Sequence, residues 1–80
     1  MTYYIYIARC ADNTLYTGYT NDLKNREKVH NEGVGARYTR SRLPIRIIYS
    51  ESFEAKSEAM SREHQLKQLT KKAKEMLVLK

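Results

Sequence analysis

The sequence has little of what stabilises secreted or membrane-embedded chains. Its single cysteine, Cys10, cannot form an internal disulfide, which excludes a disulfide-stabilised scaffold. No apolar run is long enough for a signal peptide or a membrane-spanning helix. Linkers, internal repeats and low-complexity stretches are also absent. We therefore expect a single domain over residues 1–80, located in the reducing cytoplasm and without a membrane partner.

Positive charge, by contrast, is plentiful. Fifteen Lys and Arg residues against nine Asp and Glu give a net charge of +6. A surplus of this size in a small body favours a polyanionic partner, chiefly nucleic acid or an anionic membrane, and of the two we expect nucleic acid. The ordinary alternative is that the charge serves only solubility. The chain also has seven tyrosines, whose rings can fill a core while their hydroxyls reach water or a ligand.

Turn and cap residues divide the chain into predicted elements. Two strands, Tyr3–Arg9 and Thr14–Thr20, flank a turn and should form a hairpin. A helix is predicted over Asp22–Glu32, with Thr20 or Asn21 as its N-cap and Gly33 as its stop. A basic loop over Gly33–Pro44 and a third strand over Ile45–Ser52 follow. A second helix is predicted from Glu54 onward, and a short helix over Lys71–Leu79 after a break or cap at Thr70. This order predicts an α/β (α+β) fold, a small three-stranded antiparallel sheet flanked by helices.

Polar side chains should gather on one side of the predicted hairpin. The period of a strand places Tyr4 and Tyr6 on one face, and Tyr16 and Gly18 share a face of the second strand. The helix that follows carries Arg26 and His30, which are four residues apart and so share a face. Taken singly, each of these residues is ordinarily a strand tyrosine or a solvated charge.

Glu63 is unusual for its position. It lies in the middle of an apolar stripe formed by Ala55, Ala59, Leu66 and Leu69. A carboxylate in such a place must be paired, hydrogen-bonded or bound to a metal, because burying it bare is costly. The structural alternatives are an ion pair with Arg26 or another cation, or a helix rotated so that Glu63 reaches solvent.

Two basic stretches are candidate contacts for a nucleic-acid backbone. The loop has basic residues on both sides of Tyr38, whose ring could stack on a base, and the last helix begins with lysines. The candidates are Arg37, Arg40, Arg42, Lys71, Lys72 and Lys74. A basic run is ordinarily just a solvated surface.

The spacing of these residues resembles that of a known family. Tyr4-Ile5-Tyr6, nine intervening residues and Tyr16-Thr17-Gly18 resemble the paired tripeptides that name the GIY-YIG nucleases. Asn21–Arg26 is similar to the stretch that ends in the family's catalytic arginine, His30 to the histidine one turn later, and Glu58–Glu63 to the helix whose glutamate holds the metal. The small stand-alone bacterial members are the nearest likeness.

This sequence departs from the family pattern at three positions. Tyr4 replaces the first glycine and Thr17 replaces isoleucine, while Tyr19 stands where some members have a lysine. Both motif tyrosines and Gly18 are retained. Without that lysine, the task of lowering the pKa of a tyrosine falls to the metal and Arg26.

The resemblance implies a metal-dependent endonuclease that hydrolyses DNA. Glu63 would hold one Mg²⁺ or Mn²⁺, and Arg26 would stabilise charge on the phosphoryl oxygens. Tyr6 would act as general base, with His30 accepting or relaying its proton. Tyr16 would orient water or phosphate, and Gly18 would allow close approach of the nucleic-acid backbone.

Sequence specificity should be low, because no appended element is available to contact base edges. A role in DNA repair or processing, with a protein partner in a repair complex, is compatible with this activity, and no oligomer is required. Two other hypotheses stay open: a non-catalytic nucleic-acid-binding adaptor that keeps the fold, and a purely structural use of the tyrosines and Glu63.

Overall fold

A computed structural model describes residues 1–79 of the chain. Its elements are β1 (Tyr3–Arg9), β2 (Leu15–Thr20), α1 (Leu23–Asn31), α2 (Arg37–Arg40), β3 (Arg46–Phe53), α3 (Lys56–Lys67) and α4 (Lys71–Val78). The predicted order and fold class are confirmed, with one correction. The segment predicted as a basic loop contains the four-residue helix α2.

The three strands form one antiparallel sheet with β1 in the centre, in the order β2-β1-β3. The turn between β1 and β2 is fixed by Asp12, whose Oδ1 accepts hydrogen bonds from the Thr14 backbone N at 3.1 Å and hydroxyl at 2.6 Å. Thr14 therefore belongs to the turn and β2 begins at Leu15. Tyr6 lies directly opposite Gly18 and Ala8 opposite Tyr16, so Tyr6, Gly18 and Tyr16 share a face as predicted.

The N-cap of helix α1 lies one or two residues later in the chain than predicted. Its N-cap is Asp22, whose side chain accepts a hydrogen bond from the Asn25 backbone N at 3.1 Å. Thr20 instead accepts a hydrogen bond from the Asp22 backbone N at 3.1 Å, and so supports the cap from outside. Gly33 has a φ of +83°, the left-handed conformation that ends a helix, which confirms the predicted stop.

The apolar stripe of α3 is narrower than the sequence predicted. Ala59 and Leu66 are fully buried, but Ala55 is the exposed N-cap and Leu69 is 39% exposed. The helix ends at Lys67, so Leu69 lies in a turn that no longer continues the helical face. Thr70 then caps α4, accepting a hydrogen bond from the Ala73 backbone N at 3.2 Å, as expected for a break between two helices.

The sheet carries a cluster of buried residues on each face, because alternate residues of β1 point to opposite sides. The face that we call the α1 face has Tyr6, Ala8, Cys10 and Ile45 at its centre, with Leu23 of α1 packed against them. The other, the α3 face, has Ile5, Ala59 and Leu66, with Leu77 of α4 and several aromatic rings around them. None of the helices within residues 1–79 has the length and apolar character needed to cross a membrane.

Candidate functional site

The Tyr6 ring lies over Gly18, the residue opposite it in the hairpin. Tyr6 is fully buried, and a Cβ atom added to Gly18 would lie 2.5 Å from its Cζ, closer than real Cβ contacts allow. The space that the sequence assigned to an approaching nucleic-acid backbone is therefore filled by Tyr6. Gly18 lets the Tyr6 ring cross β2 so that its hydroxyl reaches the polar residues of α1.

At the end of that ring, Tyr6 meets both polar residues predicted on α1. Its Oη is 2.8 Å from His30 Nε2, and Arg26 donates a hydrogen bond from Nε to the same oxygen at 3.4 Å. His30 is fully buried, whereas Arg26 is only partly so. Three of the five predicted catalytic side chains are thus joined directly by hydrogen bonds.

Thr39 on α2, which the sequence analysis did not single out, holds the other side of the imidazole. Its Oγ1 lies 2.8 Å from His30 Nδ1 and donates a hydrogen bond to the Ala36 carbonyl oxygen at 2.9 Å. A hydroxyl has one proton to donate, so with that proton on the Ala36 oxygen we assign the Nδ1 contact as Nδ1–H donating to Thr39. The Ala36 backbone N also lies 3.4 Å from Nδ1, a contact that would need the other tautomer, and the shorter contact with Thr39 favours the assignment. His30 Nε2 is then unprotonated and accepts the Tyr6 hydroxyl proton in the hydrogen bond. Gly35 gives this arrangement room, since a Cβ there would lie 2.8 Å from His30 Cγ.

No periodic signal in the sequence marks Thr39 or Gly35. A helix of four residues is too short to show a helical pattern, and Thr39 stands among exposed basic neighbours. Only the combination of a buried histidine with an unassigned polar loop could have pointed to them.

Burial sets the proton affinities of this hydrogen-bonded chain. It raises the pKa of Tyr6 above its ordinary value, and the hydrogen bond from Arg26 offsets only part of the rise. Burial, with the positive charge of Arg26, lowers the pKa of His30. The resting site therefore pairs a neutral phenol with a neutral imidazole, and Arg26 does not by itself produce the lowered tyrosine pKa that the resemblance implied.

Tyr16 packs beside this chain without joining it. Its ring centroid is 5.4 Å from that of His30 and 6.3 Å from that of Tyr6. It also stacks on Tyr38 at 5.9 Å, and the Arg42 guanidinium carbon lies 4.0 Å from the centre of the Tyr38 ring. Tyr38 is thus close to the site, but its ring already has protein neighbours, so stacking on a base would require Arg42 or Tyr16 to move.

Glu63, on α3, influences the site through its charge. Its side chain is 17% exposed, and its negative charge is near enough to Tyr6 to contribute to that residue's raised pKa. Of the alternatives open from sequence, the structure has an ion pair, but with Lys67 rather than Arg26: Lys67 Nζ lies 3.4 Å from Glu63 Oε2.

The donors near Glu63 suit only one kind of metal site. Within residues 1–79 no group of three or more His, Cys, Asp or Glu side chains is arranged to hold a metal ion. A single carboxylate is a hard oxygen donor of the kind that Mg²⁺ accepts while keeping most of its water ligands. A hard cation at Glu63 would therefore have this carboxylate as its protein ligand and would be completed by water and substrate oxygens, and the metal at Glu63 stays a prediction.

The basic residues predicted to contact nucleic acid differ in whether other groups of the protein already engage them. Arg37, Arg40 and Lys72 are exposed and available to a ligand. Arg42 and Lys71 are instead engaged within the protein, at 3.0 Å from Asp12 and 3.0 Å from Glu75 respectively. A cleft of about 250 Å³ beside Tyr16 is lined by Lys74, which was predicted, and by Lys67, which was missed because it continues an exposed helical surface. The other residues that line this cleft are Leu15, Thr17 and Tyr38.

Comparisons with known proteins agree with this geometry. Residues 2–76 match the family model described as the GIY-YIG catalytic domain. A UPF0213 protein of Bacillus velezensis is 53% identical over 77 residues, which are 96% of this chain and 78% of the relative.

Two solution NMR structures are also similar. A UPF0213 protein from Bacillus halodurans has a TM-score of 0.62 at 46% identity, and a protein from E. faecalis has 0.65 at 40%. Both alignments cover 98% of this chain and 83% of the solved one. With its tripeptide motifs, its fold and these relatives in agreement, the chain belongs to the GIY-YIG family of nuclease domains, for which nucleic acid is the substrate.

Proposed function

We propose that this protein is a metal-dependent endonuclease that hydrolyses phosphodiester bonds in DNA with low sequence specificity. The observation that carries the proposal is the hydrogen-bonded chain from Arg26 through Tyr6 and His30 to Thr39. Such a chain can carry a proton from a water molecule at the Tyr6 hydroxyl into the protein interior. Because Tyr6 is fully buried, that water has to enter beside the partly exposed Arg26 when substrate binds. A purely structural core would gain nothing from burying three polar groups in series.

The raised pKa of Tyr6 decides how this base works. A phenol that holds its proton firmly is a poor base alone, but its hydroxyl can take a proton from water while its own proton passes to His30 Nε2. The lowered pKa of His30 keeps the imidazole neutral and so able to accept this proton, although the same burial and the charge of Arg26 make it a weaker base. The imidazolium that results keeps its Nδ1–H bond to Thr39, so no side chain has to move.

Arg26 and Glu63 supply charge at the other side of the reacting phosphate. The Nε of Arg26 faces Tyr6, which leaves the rest of its planar fork to stabilise charge on the phosphoryl oxygens. Glu63 would hold one Mg²⁺ or Mn²⁺, which supplies Lewis-acid stabilisation of the departing 3′ oxygen when bound. The Tyr16 hydroxyl, beside His30, would orient water or phosphate.

The exposed basic residues of α2 and α4 are suited to the backbone of the substrate rather than its bases. Arg37, Arg40 and Lys72 offer exposed positive charge suited to phosphate contacts, which position a protein on nucleic acid without reading its sequence. Low specificity follows, and so does a need for other factors to choose the site of cleavage. A role in DNA repair or processing, beside a protein partner, accords with that need.

Cleavage of labelled DNA tests the proposal. Single-stranded, duplex and branched substrates are incubated with Mn²⁺ and the wild-type protein, Glu63→Gln, Tyr6→Phe or Glu58→Gln. Loss of the base or the metal ligand should lower the rate by about a hundredfold or more. Glu58→Gln removes an exposed carboxylate from the same helix and should leave the rate unchanged. Rates that are equal for the wild type and Glu63→Gln on all three substrates would refute an active nuclease.

The Lys67–Glu63 ion pair favours a second candidate, a nucleic-acid-binding adaptor whose metal ligand is permanently occupied. Its signature is salt-dependent DNA binding that is indifferent to metal, to Tyr6→Phe and to Glu63→Gln. A purely structural role for Glu63 is disfavoured, because an ion pair between neighbouring turns of a helix contributes only about 0.3–0.5 kcal/mol. Unfolding of Glu63→Gln in urea separates these cases, since only a structural role predicts a large loss of stability.

A further inference from the structure

The cleft beside Tyr16 has the features of a binding site for a phosphate group. Tyr16 and Thr17 are neighbours in β2 and point to opposite faces of the sheet, so a cleft lined by both crosses the free edge of that strand. Lys67, from the last turn of α3, and Lys74, from α4, both line this cleft of about 250 Å³. Burial lowers the pKa of Lys74, and the positive charge of Lys67 lowers it further.

A buried hydroxyl in the same cleft lacks a partner. Thr17 is 3% exposed, and its Oγ1 forms no hydrogen bond within residues 1–79. Leaving a buried polar atom unsatisfied is costly, so such an atom ordinarily has a partner in the functional state. A phosphate oxygen bound by the two lysines would also accept from this hydroxyl once the side chains that cover it moved aside, because Thr17 is only 3% exposed. Thr17 is also one of the positions at which this chain departs from the family motif.

Lys67 connects this cleft with the candidate metal ligand. Lys67, which lines the cleft, has its Nζ 3.4 Å from Glu63 Oε2, and its side chain is 52% exposed, so the ammonium group can exchange one anion for another. A cation bound to Glu63 would have to compete with this ammonium group, both for the carboxylate oxygen and by charge repulsion. A phosphate in the cleft would offer Lys67 another anion and so remove the competition.

We propose that Lys67 and Lys74 bind a phosphate of the substrate in this cleft, and that Lys67 thereby releases Glu63 to the metal. Lys67 is a positioning residue in this scheme: it blocks Glu63 while the cleft is empty and frees it when substrate is present. Because linkage is reciprocal, phosphate and metal each strengthen the binding of the other. The inference rests on the proposed function, in which Glu63 is the metal ligand.

Two measurements on the intact protein test this scheme. In the first, free Mn²⁺ is followed by electron paramagnetic resonance in the absence of nucleic acid, for the wild type, K67Q, K74Q and E63Q. Removing the competing ammonium group should tighten Mn²⁺ binding about two- to fivefold in K67Q, the range of a partly exposed ion pair. K74Q removes the same charge without a contact to Glu63 and should have a smaller effect. E63Q should abolish the binding.

In the second measurement, a fluorescent oligothymidylate is titrated in EDTA at fixed ionic strength. K67Q and K74Q should both weaken its binding, whereas K72Q, which removes an exposed charge of the same helix as Lys74, should change it less. Lys67 is therefore expected to be the one tested lysine whose loss has opposite effects on the two ligands.

The outcomes separate this inference from the nuclease proposal. Equal Mn²⁺ affinities in K67Q and K74Q, or no Mn²⁺ binding in any variant, would overturn the competition at Glu63. Oligothymidylate binding that K67Q and K74Q weaken no more than K72Q would overturn the phosphate site. The nuclease proposal fails instead if wild-type cleavage does not depend on Glu63, and cleavage that does depend on Glu63 leaves it standing whatever the lysine variants show.

Discussion

The two faces of the sheet share the central strand β1 but differ in their buried contacts. On the α3 face, Ile5, Ala59 and Leu66 are fully buried and wholly apolar, and aromatic rings surround them. On the α1 face, Tyr6, His30 and Thr39 are equally buried but are joined by hydrogen bonds. Apolar burial stabilises a fold in proportion to area, whereas a buried polar chain roughly breaks even. The comparison indicates that the α1 face gives part of its buried volume to polar groups, which add less stability than the apolar contacts of the α3 face.

Truncation of Leu66 should break the α3 face and have the largest effect on stability. Leu66→Ala removes a fully buried side chain and leaves a cavity, so the free energy of unfolding should fall by about 2–5 kcal/mol. That is a large share of the roughly 5–15 kcal/mol typical of a whole domain. Urea unfolding gives the value, with Leu69→Ala as control, since Leu69 is 39% exposed in the following turn. Equal losses in the two variants would contradict the assignment of the core.

Adding a methyl group at Gly18 should disturb the α1 face more selectively. The new Cβ of Gly18→Ala would collide with the Tyr6 ring, and such overpacking costs about 1–3 kcal/mol. The displaced Tyr6 should also lose its hydrogen bond to His30, which shifts the imidazole resonances in an NMR spectrum. Gly33→Ala is the control, because no atom lies within 4 Å of its added Cβ and only its backbone conformation is strained. An unshifted His30 in Gly18→Ala would show that Tyr6 does not depend on this glycine.

The smallest effect should be a dependence of stability on pH that comes from the α1 face alone. The pKa of His30 is lowered in the folded protein, so below about pH 6.5 the unfolded chain binds a proton that the folded chain does not. Stability should therefore fall as the pH decreases from about 6.5 toward the folded pKa, with a slope of at most about 1.4 kcal/mol per pH unit. It should not change through this residue above that window.

Unfolding curves between pH 5 and 8 measure this slope for the wild type, His30→Gln and His64→Gln. His30→Gln should flatten the curve even if the variant is less stable throughout. His64, the other of the two histidines, is exposed on α3, and its replacement should leave the slope in place. A slope that disappears with His64 instead would show that the α1 face is not the source.

The sequence was sufficient to predict what depends on period and spacing. The alternation of β1 and the four-residue step from Arg26 to His30 predicted that Tyr6, Tyr16, Arg26 and His30 would meet, and they do. The sequence was not sufficient where the packing of one element against another, rather than a local pattern, determines which residues are in contact. Thr39 faces His30 only because the short helix α2 packs against α1, and no periodicity marks so short an element.

Glu63 also shows this limit, because the pattern indicated that it needs a partner but not which one. Its place in an apolar stripe correctly indicated a carboxylate in need of a partner, but the pattern could not choose among cations. The pairing with Lys67 follows from a local step of four residues, yet α3 has other exposed charges, and only the packed structure turns Glu63 toward the site. The end of α3 at Lys67 was missed for a related reason, since Leu69 continued the apolar spacing beyond the helix.

The position of Lys67 and Lys74 also bears on how copies of this protein behave toward one another. Strand β2 lies at an edge of the sheet, and an edge strand has backbone N–H and C=O groups to which a strand of a second molecule can add. Lysine side chains beside such an edge oppose the addition by charge and by the water they hold. The two lysines proposed to bind phosphate would thus also oppose self-association through β2. The same positive charge attracts a nucleic-acid strand, so the edge of β2 should bind nucleic acid in preference to a strand of a second protein molecule.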